Sequence, residues 1–85
     1  MLNYILANQQ TRGVVMFFLY VIFTSISGQM DNLNLDTQMR STSFPAESPE
    51  ELHYFITRQI GLWSTELHRE KGKFFFPSSP AIVKL

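Results

Sequence analysis

The apolar positions of this chain change character along its length. From Gly13 to Met30 no residue is charged, and Val14 to Phe23 are apolar without interruption. A polar stretch follows, in which Leu33, Leu35 and Phe44 stand isolated among Asn, Asp, Gln, Ser and Thr up to Ser48. Beyond it the apolar residues recur at helical spacing. Leu52, Ile56, Ile60, Trp63 and Leu67 lie within about 80° at roughly 100° per residue, with Phe55 and Leu62 on one flank.

The third pattern is the best specified. Ser48-Pro49-Glu50-Glu51 supplies a capping hydroxyl, a proline at the first helical position and a glutamate three residues after the cap. Glu47, Glu50 and Glu51 at the start and His68, Arg69, Lys71 and Lys73 after the last turn both suit the helix macrodipole. Gly72 can end the helix. The spacing therefore predicts an amphipathic helix over residues 49–71. Gly61 and the β-branched Ile56, Thr57, Ile60 and Thr65 make it marginal alone in water, so its stripe needs a surface to cover it.

The first segment admits competing readings. A secretory signal requires a positive start, an apolar stretch of roughly 7–15 residues and small residues near the cleavage point. Arg12, Val14–Phe23 and Thr24-Ser25-Ile26-Ser27-Gly28 meet those requirements in turn, with cleavage after Ser27 or after Gly28. A membrane anchor is the alternative, since 18 uncharged residues form a helix about 27 Å long against a hydrocarbon core of about 30 Å. Arg12 before it and Asp31 and Asp36 after it would place the amino terminus inside and the carboxyl terminus outside. A buried helix or strand is the third reading, and it requires a core from the rest of the chain.

Composition weighs against such a core. Of 38 apolar residues in 85, residues 1–28 hold 17, leaving 21 among the 57 that follow. So few apolar side chains do not offset the entropy of ordering that length. The absence of cysteine removes disulfides, thiolate zinc sites and a cysteine nucleophile together. Seven basic and seven acidic residues leave no net charge and no basic surface suited to nucleic acid.

Catalytic and cofactor signals are equally sparse. His53 and His68 are fifteen apart, no HExxH or glycine-rich phosphate loop occurs, and Glu50 and Glu51 are explained by helix initiation. Asp31–Asp36 has the outline of a calcium loop, but Leu33 and Leu35 stand where oxygen ligands belong. No catalytic residue, cofactor or metal ligand is assigned, and the chain reads as no enzyme. At the tail, Phe74-Phe75-Phe76 beside Lys71 and Lys73 offers an aromatic anchor, and Pro77 and Pro80 form a minimal PxxP with no basic residue suitably placed.

Within residues 48–59, Ser48-Pro49-Glu50-Glu51-Leu52, His53-Tyr54 and Ile56-Thr57-Arg58-Gln59 resemble fragments of the helix of the neuropeptide Y and peptide YY hormones. That family couples a signal peptide to a secreted amphipathic helix with an amidated end. Here Gln59 runs into Ile60-Gly61-Leu62-Trp63 and no dibasic pair follows, so the resemblance stops short of the end those receptors read.

The expected architecture is mainly α and lacks a globular core. It comprises a signal or anchor helix over 1–28, a flexible acidic linker over 29–48, the helix over 49–71 and an irregular aromatic and proline tail over 72–85. The expected function is that of a small, partly disordered secreted polypeptide that binds a protein partner or receptor. A single-pass membrane micropeptide is the alternative, and a membrane surface is a second kind of target. The candidate partner-binding residues are Leu52, Phe55, Ile56, Ile60, Trp63 and Leu67 on the helix, with Phe74, Phe75 and Phe76 after it.

Overall fold

A computed structural model of the chain describes residues 13–85. It overturns the mainly α expectation: 49% of the described residues are strand and 32% are helix, in a single helix. The uncharged segment forms not a helix but strand β1, Val15–Gln29, which turns at Met30-Asp31 into strand β2, Asn32–Ala46. The two pair antiparallel without a break in register from Val15↔Ala46 to Gln29↔Asn32. An unbroken apolar run carries no period, so length and residue type must decide between helix and strand. Val15, Phe17, Phe18, Tyr20, Val21, Ile22 and Phe23 are β-branched or aromatic, and these types suit a pleated surface. Residues 1–12, including Arg12 and the positive start of the expected signal, lie outside the described residues.

Residues 29–48 are likewise not a flexible linker. The backbone groups of that polar stretch need partners in a packed chain, and β1 supplies a ladder to β2 that runs from Asn32 to Ala46.

Helix α1, Pro49–Lys71, returns along the hairpin. Ser48 Oγ accepts from the Glu51 amide at 3.1 Å, while Glu51 Oε1 reaches past the cap to accept from the Glu47 amide at 2.6 Å. At the other end Gly72 adopts a left-handed conformation, φ +73°, and its amide donates to the His68 carbonyl. The tail is also more regular than its prolines suggest. Strand β3, Phe76–Pro77, pairs with Phe23 and Thr24, and strand β4, Ala81–Lys84, pairs with Phe17 to Tyr20. Between them the Ser78 amide donates to the Ile22 carbonyl at 2.8 Å, and Ser78 Oγ accepts from the Ile22 amide at 3.3 Å, carrying the ladder across the gap. Proline is tolerated because this is a sheet edge.

The sheet is therefore ordered β2-β1-(β3, β4), with β1 central, and α1 lies across one face. A core exists, contrary to expectation. Leu19, Val21 and Phe23 of β1 meet Phe44 and Ala46 of β2, Trp63 and Leu67 of α1, and Phe75. The apolar surface that residues 29–85 do not hold among themselves comes from Leu19, Val21 and Phe23 of β1.

Candidate interaction surface

The stripe on α1 is consumed by this core. Trp63 and Leu67 are buried, and Leu52, Phe55, Ile56 and Ile60 pack against the buried cluster. Trp63 meets Phe23 edge to face at 6.3 Å, and Phe55 stacks on Phe44 with ring centroids 4.0 Å apart. The tail aromatics, adjacent in sequence, go separate ways. Phe75 is buried, with the Lys73 ammonium 5.9 Å from its ring; Phe74 is exposed and stacks on His68; and Phe76 is exposed on β3. Of the nine candidate residues, then, the structure brings seven into or against the core and leaves Phe74 and Phe76 outside it.

The opposite face of the sheet presents what the helix does not. Side chains alternate across a strand, so with Leu19, Val21, Phe23 and Ser25 turned toward α1, the even-numbered residues of β1 face away. Met16, Phe18, Tyr20, Ile22, Thr24 and Ile26 form this outer row, with Thr24 its one polar side chain. Register places Leu35 opposite Ile26, Met39 opposite Ile22, and Ser41 and Ser43 opposite Tyr20 and Phe18. On the other side Val83 lies opposite Phe18, and Phe76 opposite Thr24. Ile26, Leu35 and Met39 are each more than half exposed.

Among the described residues, the outer face carries no charged side chain. Asp36, Arg40 and Lys84 are the charged residues of the strands, and each has the parity or pairing partner of the helix side. There α1 and the chain just after it answer two of them: Arg40 lies 3.8 Å from Glu70, and Lys73 lies 3.3 Å from Asp36. A hydrogen bond from Gln38 Nε2 at 3.0 Å, followed by the Lys73 ammonium, holds the Asp36 carboxyl below its ordinary value of 3.8. An antiparallel sheet with one solvated face ordinarily alternates apolar inward with polar outward. In β2 the charges instead turn inward and Leu33, Leu35 and Met39 turn outward.

No other feature of the described residues competes with this face. A cleft of about 210 Å³ between β1 and the start of α1, lined by Val15, Phe17, Ala46, Pro49 and Leu52, falls below the roughly 300–1,000 Å³ of small-molecule sites. No group of three or more His, Cys, Asp or Glu among the described residues is placed to hold a metal ion. None of the described helices is long and apolar enough to cross a membrane.

Sequence reasoning missed the outer face because it read Val14–Phe23 as one hydrophobic block. The signal was present in parity: Asp36, Gln38 and Arg40 alternate with Leu35, Thr37, Met39 and Ser41, separating charged and amide side chains from apolar and hydroxyl ones once the segment is taken as a strand. Fold and surface together define a two-layer α+β protein, an antiparallel sheet with a helix on one face and an uncharged apolar surface on the other. No family model, curated protein or solved structure matches the chain.

Proposed function

We propose that the chain is a non-catalytic binding module that engages a protein partner through the outer face of its sheet. The supporting observation is the exclusion of charge from that face while Met16, Ile22, Ile26, Leu35 and Met39 remain exposed on it. Contiguous exposed apolar surface of this kind marks interaction sites. The binding surface thus moves from the helix stripe to the far side of the sheet.

This reading keeps residues 13–28 in the working protein. Cleavage after Ser27 or Gly28 would remove nearly all of β1, with which β2, β3 and β4 all pair. Amino-terminal sequencing of the expressed protein tests this directly: the reading expects β1 to be retained, and a product beginning at Gly28 or Gln29 overturns it. The surface itself is tested by placing a photo-crosslinking side chain at Met39 on the outer face or at Leu62, exposed on α1. Adducts should concentrate at Met39; equal yields at the two positions count against the assignment.

A further inference from the structure

Building on the outer-face reading, we infer that the partner is a second copy of this chain, the two sheets stacking outer face to outer face as a two-fold β-sandwich. Size supports this first. Two fifteen-residue strands at about 3.4 Å per residue, about 4.8 Å apart, with a third strand position filled only from Phe76 to Lys84, give a face on the order of 600 Å². Standard stable interfaces begin at about 600 Å² per partner.

Charge supports it independently. In a two-fold contact each patch meets itself, so any charged patch must either carry its own complement or repel its copy. The outer face avoids the problem by having no charged side chain among the described residues, and Asp36 and Arg40 are turned to the helix side. A partner recognised through its charge would find nothing here to pair with.

The relief of the face fits as well. The β1 row of Phe18, Tyr20 and Ile22 stands beside Ser43, Ser41 and Met39 of β2. A bulky ridge beside a row containing small hydroxyl residues lets two inner surfaces interdigitate at the roughly 10 Å spacing of packed sheets. Phe18 and Tyr20, with ring centroids 6.3 Å apart, already form one continuous aromatic surface. The resulting particle would have a sheet pair at its centre and the two α1 helices outside.

The experiment uses the full 85-residue chain. Sedimentation equilibrium or light scattering after size exclusion should give twice the 9.9 kDa chain mass at micromolar concentration. Ile22→Lys and Met39→Lys, each at an exposed outer-face position, should return the single-chain mass with an unchanged circular dichroism spectrum. Leu62→Lys, exposed on the helix, should leave the dimer intact. A single-chain mass for the unaltered protein overturns the inference, as does a dimer indifferent to both outer-face variants. Mass analysis of the Met39 crosslink separates this inference from the reading beneath it. An adduct of two identical chains supports both; an adduct with a different protein overturns the second copy and keeps the binding face. An adduct with lipid alone, or none, overturns both.

Discussion

Gly28 has φ +98°, and a Cβ at that position would collide with the backbone oxygen of Asn32 across the hairpin. Both facts single out glycine near the end of β1, where Met30-Asp31 lacks the Asn-Gly or Asp-Gly pair that favours a two-residue turn. Gly28→Ala should therefore cost about 1–3 kcal/mol in the urea unfolding midpoint, whereas Gly61→Ala, with open space at its Cβ, should be neutral or stabilising. Among core residues, Trp63→Ala should cost about 3–5 kcal/mol, because its ring closes the contact between α1 and Phe23. Tyr54→Ala, largely exposed on the same helix, should stay within about 0.5 kcal/mol. Asp36 links stability to pH. Gln38 and Lys73 lower its pKa in the folded chain, so its contribution is present above the ordinary value of 3.8 and is lost as pH falls through the folded value. The difference in unfolding midpoint between the unaltered chain and Asp36→Asn should be present at neutral pH and disappear at the acid end of that range.

At the level of elements, α1 was legible and the strands were not. Its start and stop are written in adjacent residues, Ser48-Pro49-Glu50-Glu51 and Gly72, whose caps act within one turn. Ser48→Ala should destabilise the chain by about 1 kcal/mol in thermal unfolding, since it frees the Glu51 amide. The strands depend on partners far away in the chain. β2 is polar and reads as linker until β1 lies beside it, and Phe76–Pro77 is a strand only because Phe23 and Thr24 offer it a ladder. The surface that covers the helix stripe comes from β1, within the segment whose sequence suggests a signal or anchor. A fragment covering residues 29–85 should therefore show no cooperative thermal transition by circular dichroism, whereas the full chain should show one. A folded fragment would mean that the core does not depend on Leu19, Val21 and Phe23.

At the scale of the molecule, the described residues form an elongated body, with extents of 61 × 20 × 17 Å and a radius of gyration of 17.5 Å, against about 11 Å for a compact domain of similar length. Length comes from the hairpin. Glu70 and Lys73 meet β2 at Arg40 and Asp36, so the end of the hairpin beyond those residues projects past α1. Backbone amides of residues 27–34 should therefore exchange hydrogen faster than those of residues 19–23, which lie under the helix. Local chemistry alone was enough to place the helix and its caps, to set aside disulfides and thiolate zinc sites, and to count how few apolar side chains residues 29–85 hold. Those conclusions rest on neighbours in the chain or on simple counts. Whether Val14–Phe23 becomes a helix or a strand, which face of β2 turns to water, and where the apolar surface of the molecule lies depended on pairing between residues up to sixty-seven positions apart, as in Phe17↔Lys84. An apolar run has no period to declare its conformation, and a strand's two faces acquire an inside and an outside only when a helix covers one of them.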